Sequence, residues 1–447
     1  MKPSIPKGTR DYSPSQVRRQ NFIFNTIRTV FEKYGYQPIE TPVMENLDTL
    51  LGKYGDEGDK LLFKVLNNGD FLAKADLAAL DRRDSNAVVS SISKRGLRYD
   101  LTVPFARYVV MHQHEIQFPF KRYQIQPVWR ADRPQKGRYQ EFYQCDADAV
   151  GSDSLMFEAE YLLMIDEVFN ALGLSVEIKI NNRKILAGIA EIAGIAEQMV
   201  AMTVAVDKLD KIGWDGVTNE LVKNGISEPQ VEQLKSLYEC KDFQSLQEAL
   251  SDSDIGLTGV KEIKEVFEYL KSITLKQTVI FDPTLARGLS YYTGCIFEVK
   301  SREVEIGSIL GGGRYANLTG VFGMPGVSGV GISFGVARIF DVMQELGRFP
   351  DQIDQPIKLM LIALDQQCHL ASFGLLRQLR QNHIVAHLYP EPAKLKKQMK
   401  YADTAGTPYV LLIGSEEVQQ KRYTLKHMKS GDQWQLSLEE IIEKLKP

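Results

Sequence analysis

Val128-Trp129-Arg130-Ala131-Asp132-Arg133-Pro134-Gln135-Lys136-Gly137-Arg138-Tyr139 is an apolar strand end that runs into a polar turn. Lys121 to Trp129 before it and Tyr139 to Val150 after it both read as strand, which predicts a long antiparallel hairpin with a charged tip. Between positions 121 and 138 six cations, Lys121, Arg122, Arg130, Arg133, Lys136 and Arg138, meet one acid, Asp132, for a local net charge of +5. The chain of 447 residues as a whole is −3. Cations set among turn residues make an arm suited to phosphates; a solvated basic loop is the plainer alternative. Arg130 follows Trp129 at the end of the strand and is expected to point off a sheet surface rather than into bulk water.

Downstream, Gln144-Cys145-Asp146-Ala147-Asp148 puts Gln144, Asp146 and Asp148 on one face of a strand. A polar stripe often faces solvent, but a buried acid there needs a partner, and a cationic ligand would serve. Further on, Arg287 stands between Ala286 and Gly288 ahead of Tyr291 and Tyr292. Small neighbours let a ligand approach the backbone; the alternative is a surface turn before a strand. Gly307 to Gly313 reads as a glycine-rich turn, and Gly329 to Met343 as a strand into a helix that Arg338 opens. No G-x-x-x-x-G-K-[ST] and no G-x-G-x-x-G opening a strand–helix unit occurs, so a nucleotide site here is neither of those types.

The four cysteines, Cys145, Cys240, Cys295 and Cys368, form no C-x-x-C pair and share no metal-ligand spacing with a histidine. This implies a reduced, cytoplasmic chain with no metal site and no disulfide framework. The N-terminus has no apolar core for a signal peptide, and no run of ~18 apolar residues suggests a membrane span. The histidines read as structural or surface residues.

The organisation follows from the periodicities. Gln16 to Tyr34 is helical, ended by Gly35, and Tyr36 to Val43 carries two prolines that mark an edge strand or a turn. Leu61 to Val150 reads mainly as short strands, with Leu97 to Thr102 alternating. Leu155 to Leu172 is a helix and Ser175 to Asn181 a strand. Residues 185–270 are helix-rich with 16 Asp/Glu and 7 Lys/Arg, a net of −9, and read as an insertion. Residues 348–352 make a linker, beyond which alternating strand and helix imply an α/β unit with a mostly parallel sheet. Residues 354–447 are +3, so near-neutrality hides two basic regions, this one and the hairpin arm.

Together these segments resemble the class II aminoacyl-tRNA synthetases and, among them, the histidyl-tRNA synthetase family. Thr41-Pro42 is similar to the first class II motif, 128–144 to the second in its histidine-specific form, and Gly331 to Arg338 to the third. Leu285 to Tyr292 resembles a signature of the histidine enzymes, with Ser290 departing from the usual residue there. The resemblance implies an α+β fold: an antiparallel-sheet catalytic core at 1–184 and 271–347, a helical insertion at 185–270, and an anticodon-binding α/β domain at 354–447. It implies ATP and Mg²⁺ as cofactors, L-histidine and tRNA(His) as substrates, and a homodimer with no membrane association. Arg130 and Arg287 would hold the α-phosphate from either side as the catalytic pair and also face histidine. Asp100, Thr102 and Gln144 would take the α-amino group, with Leu101 in the same pocket. Asp148 and Tyr292, with Tyr291 beside them, would recognise the imidazole. Arg338, Arg133 and Arg138 would serve ATP, and Gln135 the extra 5′ nucleotide of the tRNA. The rival readings are a non-catalytic regulatory subunit of ATP phosphoribosyltransferase, which shares the core fold, and a tRNA-binding module.

Overall fold

The computed structural model describes residues 2–446 apart from 54, 136, 241, 287–291 and 355–356. Arg287 and Tyr291 therefore lie outside the described residues. The chain forms two compact units, residues 1–13 with 19–348 and residues 14–18 with 349–447.

The strands of the first unit are β1 (Gln37–Pro38), β2 (Met44–Asn46), β3 (Lys64–Val65), β4 (Arg95–Leu97), β5 (Phe120–Trp129), β6 (Glu141–Val150), β7 (Val176–Asn182), β8 (Thr278–Phe281), β9 (Cys295–Ser301), β10 (Leu310–Tyr315) and β11 (Gly329–Gly335). Eight of them make one sheet in the order β1-β5-β6-β11-β10-β9-β7-β8, and β2, β4 and β3 make a small second one. The pairings of the large sheet are antiparallel except at its margins, where β1 runs parallel to β5 and β8 to β7. Pro38 lies in the edge strand β1, where its missing N–H leaves no ladder bond unmade.

One face of this sheet is apolar. The helix Pro14–Lys33 buries Ile23, Phe24, Ile27, Val30 and Phe31, and its end is turned by Gly35 at φ +79°. Phe31 and Phe169, the latter from the helix Met156–Ala171, both pack on Phe334 of β11, at 5.9 and 5.7 Å between ring centroids. Arg314 clasps Glu158 of the same helix through two bonds, Nε–Oε1 at 2.5 Å and Nη2–Oε2 at 2.6 Å. Its remaining donors reach the Ser152 and Ser154 carbonyls and the Ser328 hydroxyl, so this buried pair is fully satisfied and fixes the end of β10.

Two sequence expectations are corrected here. The stretch from Leu61 to Val150 is not mainly strand: it contains the helices Leu77–Asp81, Ser85–Ile92 and Thr102–Met111. The first two begin at a capping aspartate that accepts the backbone N–H three residues on, Asp76 from Ala79 and Asp84 from Ala87, and Asp100, just ahead of the Leu101 cap of the third, accepts from Val103. The glycines near 311 do not form a turn; they lie in β10, next to the middle of the sheet. A Cβ at Gly312 would come within 2.8 Å of the Ile332 Cα, and one at Gly313 within 2.7 Å of the Cys295 carbonyl. Glycine there serves close strand packing, not chain reversal.

Between β7 and β8 the described residues form six α-helices, from Arg183–Ile192 to Asp254–Leu270. The first and last touch through glycines: a Cβ on Gly188 would lie 2.5 Å from the Gly256 Cα, and one on Gly259 2.7 Å from the Ile185 nitrogen.

The second unit has β12 (Leu359–Ala363), β13 (Ala386–Leu388), β14 (Tyr409–Ile413), β15 (Tyr423–His427) and β16 (Gln433–Leu436), in the order β13-β12-β14-β15-β16. Alternation along β12 sends Leu359 and Leu361 into a core shared with Leu376, Leu379, Ile441 and Leu445, while Met360 and Ile362 meet Ala402 and Val410 on the other face. The expectation of a mostly parallel sheet is corrected: β12 pairs in parallel with β13 and β14, but β14–β15 and β15–β16 are antiparallel. The extra hairpin turns at Gly431, φ +82°, with the His427 N–H bonded to the Asp432 carbonyl at 2.9 Å.

Candidate active site

The polar face of the large sheet is built by register. On β6, Gln144, Asp146 and Asp148 stand opposite Gln126, Gln124 and Arg122 of β5 on one side and Gly335, Ser333 and Gly331 of β11 on the other. Gln144, Asp146 and Asp148 are all buried. The expected stripe exists, and it faces the interior. The partner of its acid comes from the chain itself: Arg122, fully buried, meets the Asp148 Oδ2 at 2.8 Å, and the Tyr315 hydroxyl donates to its Oδ1 at 2.8 Å. Arg122 also lies 4.2 Å from the Phe105 ring centroid and reaches the Leu101 carbonyl at 3.4 Å. The Gln144 Nε2 donates to the Ser333 hydroxyl at 2.7 Å.

Burial opposes charge on these acids. It holds the Asp148 carboxyl above the ordinary range despite Arg122 and Tyr315. It pushes Asp146 up to about 7, with Arg122 pulling it down and Asp148 and Asp100 pushing it further up. The Asp146 Oδ1 is buried and has no hydrogen-bond partner among the described residues.

A small recess opens on this face, lined by Thr102, Asp146, Asp148, Tyr292, Tyr315 and Ser333 among others. Glycines clear its floor. A Cβ on Gly331 would strike the Asp148 carboxylate, and one on Gly313 would sit 2.9 Å from the Tyr292 ring. Asp100 and Thr102 bracket the start of the helix Thr102–Met111, where Asp100 Oδ1 takes the Val103 N–H at 3.1 Å. The Leu101 side chain is fully buried.

The hairpin tip carries the cations. The Arg130 guanidinium stacks 4.2 Å from the Tyr99 ring centroid and 5.2 Å from that of Phe142, and its Nε donates to the Tyr99 carbonyl at 3.0 Å. It thus lies against aromatic faces at the strand end, off the sheet as expected. Beyond it Gln135 and Arg138 pair through their backbones around Gly137, φ +70°. Arg133, Gln135 and Arg138 are exposed, with Arg138 3.7 Å from Asp132. Arg338 anchors the tip: its Nε donates to the Gly137 carbonyl at 3.0 Å and its Nη1 to the Ser308 carbonyl at 2.5 Å.

Of the residues expected at a site, Thr102, Asp148 and Tyr292 line one recess, Gln144 joins it through Ser333, and Arg338 and the tip residues Gln135 and Arg138 meet at Gly137. Sequence reasoning placed Asp146 on the correct face without assigning it to the site, and it missed Arg122, Ser333 and Tyr315. Strand alternation could have found Arg122, because Arg122, Gln124 and Gln126 repeat every second residue. Nothing in the sequence marks Tyr315 beyond its place after the glycines.

A family model described as histidyl-tRNA synthetase matches residues 8–74 and 70–339, and one described as anticodon binding domain matches 358–447. The chain is 53% identical over 453 residues to the histidine–tRNA ligase of Christiangramia forsetii, covering 100% of this chain and 99% of that protein. It is 54% identical over 446 residues to that of Bacteroides fragilis, covering 99% and 98%. The crystal structure of histidyl-tRNA synthetase from Nostoc sp. PCC 7120 superposes with a TM-score of 0.84 at 29% identity, covering 100% of this chain and 99% of that one. Matched along its whole length in sequence and in fold, the chain belongs to the histidyl-tRNA synthetase family.

Proposed function

We infer that the chain is a histidine–tRNA ligase. It joins L-histidine to ATP as histidyl-adenylate, releasing pyrophosphate, and passes the histidyl group to the 3′ end of tRNA(His). The observation that carries this reading is full-length identity of 53–54% to proteins of that activity, over the core and the anticodon-binding region alike. A regulatory subunit of ATP phosphoribosyltransferase would share the core, but the matched region 358–447 favours the ligase.

The chemistry follows from the residues. Histidine's carboxylate attacks the α-phosphate of ATP, so negative charge grows on the phosphorus oxygens and fixed cations stabilise it. Arg130, held against Tyr99 and Phe142, is oriented before the nucleotide arrives, and Arg287 is assigned the opposite side of the phosphate. A cation near ~4 Å contributes about 4 kcal/mol at an effective dielectric near 20. Arg338, with Arg133 and Arg138 from the tip, serves the nucleotide's outer phosphates. ATP would enter as its Mg²⁺ complex, so the ion counts with the substrate and would supply charge neutralisation at the phosphates. Asp100, Leu101, Thr102 and Gln144 frame the α-amino end. Asp148, kept in place by Arg122 and Tyr315, faces the imidazole with Tyr291 and Tyr292. A buried carboxylate fixed by two donors still has lone pairs for a ring N–H, and an apolar analogue forgoes that bond.

Gln135 on the exposed tip is assigned the extra 5′ nucleotide of the tRNA, the helical insertion at 185–270 the acceptor stem, and 354–447 the anticodon. A homodimer through the Thr41-Pro42 segment is supported by two features. Arg98 fastens that segment, with Nη1 2.7 Å from the Thr41 carbonyl, and Val43, Met44 and Met111 expose apolar surface nearby. No helix among the described residues is long and apolar enough to cross a membrane. The four cysteines are free, in keeping with the cytoplasm.

Histidine-dependent exchange of pyrophosphate into ATP by the purified protein tests the reading, and no exchange from a folded sample would end it. Arg287→Ala should abolish exchange while histidine binding survives in part.

A further inference from the structure

We propose that the segment from Pro6 to Tyr12 is a strut for the hairpin tip, with Arg10 as the positioning residue that sets the tip for ATP. The inference rests on the ligase reading and adds to it residues with no role assigned so far.

The strut begins with the backbone. β11 ends at Gly335, opposite Gln144, so the residues ahead of Gln144 have no ladder partner in that strand. There the Gln140 N–H goes to the Gly8 carbonyl at 2.9 Å, and the Gln140 carbonyl takes the Arg130 N–H at 3.0 Å. Through this one residue the N-terminal segment reaches the backbone of the cation assigned to the α-phosphate. The Gln140 side chain carries the link into the tip, its Nε2 donating to the Asp132 carbonyl at 3.0 Å. Gly8 has φ +84°, and a Cβ on it would lie 2.6 Å from the Gln140 Cγ and 3.0 Å from the Pro134 Cγ. Glycine is what lets the segment come this close. The Thr9 hydroxyl donates to the Pro6 carbonyl at 2.8 Å and closes the turn around it.

Arg10 supplies the side-chain half. Its guanidinium lies 4.2 Å from the Tyr139 ring centroid, 4.6 Å from that of Tyr12 and 5.9 Å from that of Phe340, and its Nη1 donates to the Tyr139 hydroxyl at 3.0 Å. Its Nε and Nη2 are buried with no hydrogen-bond acceptor among the described residues, so aromatic faces are what hold that edge of the cation. Tyr139 follows Arg138 of the tip, and Phe340 lies two residues past Arg338 in the helix Val336–Glu345. Arg10 therefore ties together the two stretches that carry the ATP-serving arginines. Arg338 grips the tip at Gly137, while Gly8 and Arg10 grip it at Gln140 and Tyr139. A tip loosened at the second grip is in place for part of the time only, and apparent affinity for ATP falls by that fraction.

The test compares full-length wild type with Arg10→Ala and Gly8→Ala. Amide hydrogen–deuterium exchange within 131–140 should quicken in both variants, with β6 beyond Gln144 unchanged. In pyrophosphate exchange KM for ATP should rise roughly 10-fold, as for a tip in place about a tenth of the time, while KM for histidine stays within about 2-fold. Gly8 has no side chain to offer a phosphate, so the same signature at both positions marks positioning and not a direct contact. General loss of folded enzyme would lower kcat alone and leave both KM values where they were. Wild-type protection of 131–140 in the two variants, or KM values for ATP and histidine that rise together, would overturn the proposal and leave the ligase reading intact. A folded wild type with no pyrophosphate exchange would end that reading, and the deuterium measurement would then decide the strut by itself.

Discussion

Arg122 and Asp148 stand directly opposite each other on β5 and β6 and meet at 2.8 Å with both side chains buried. The pair joins the sheet to the site, since the same guanidinium reaches the Leu101 carbonyl just ahead of Thr102. Two charges taken from water are tolerated only as a pair, so removing one strands the other. Arg122→Met should lower folding stability by about 3–5 kcal/mol. Denaturant unfolding measures it. A loss below about 1 kcal/mol would mean that Asp148 has another counter-charge.

The raised carboxyl of Asp146 makes a prediction about pH. Its folded value of about 7 exceeds the ordinary 3.8, so between those limits the folded state binds more protons than the unfolded one. Stability then falls as pH rises through that window: the cost is absent below about pH 4 and complete above about pH 7. From the size of the shift it amounts to about 4 kcal/mol. Asp146→Asn should remove it, so the variant should gain stability relative to wild type as pH rises from 5 to 8. Unfolding curves at the two pH values decide, and parallel pH dependence in both proteins would contradict the assignment.

The hairpin was legible in sequence because two strand patterns flank a turn made of Pro134 and Gly137, and turn chemistry is local. The face of β6 was legible because alternation is local too. The partner of Asp148 was not: Arg122 lies 26 positions away, and only register brings it opposite. The glycines of β10 were misread because a glycine cluster looks the same whether it frees a turn or clears room for a neighbouring strand. The helix Thr102–Met111 was missed because a short alternation at Leu97 to Thr102 outweighed the signal of Asp100 ahead of it, and its cap position, Leu101, carries no capping side chain. Residues 354–447 were read as mostly parallel because the hairpin of β15 and β16 follows two true parallel pairings and carries weaker strand patterning.

Arg338 holds the Gly137 and Ser308 carbonyls, so it joins the tip to the chain just ahead of β10. Truncation should act twice, loosening the tip and removing a phosphate contact. Arg338→Ala should lower kcat/KM for ATP in pyrophosphate exchange by about 100- to 1000-fold, the usual effect of removing one preorganised donor. KM for histidine should change little, because the Gly137 and Ser308 carbonyls that Arg338 holds are not among the residues that line the recess. Proteolysis within 131–139 should also quicken. An equal rise in both KM values would argue that the tip and the recess are one mechanical unit.

Gly331 lies opposite Asp148 on β11, and a Cβ there would strike the carboxylate that Arg122 and Tyr315 hold. The acid cannot move away without breaking one of those two bonds, and the Ala147 carbonyl, 2.9 Å from the same Cβ position, blocks the backbone from yielding. Gly331→Ala should therefore displace Asp148 and raise KM for histidine at least 10-fold, with KM for ATP nearly unchanged. Stability should fall by about 1–3 kcal/mol, the range for overpacking a filled interior. Steady-state pyrophosphate exchange with each substrate varied in turn separates the two constants. Normal histidine affinity in a folded Gly331→Ala protein would show that the Asp148 position is not what recognises the amino acid.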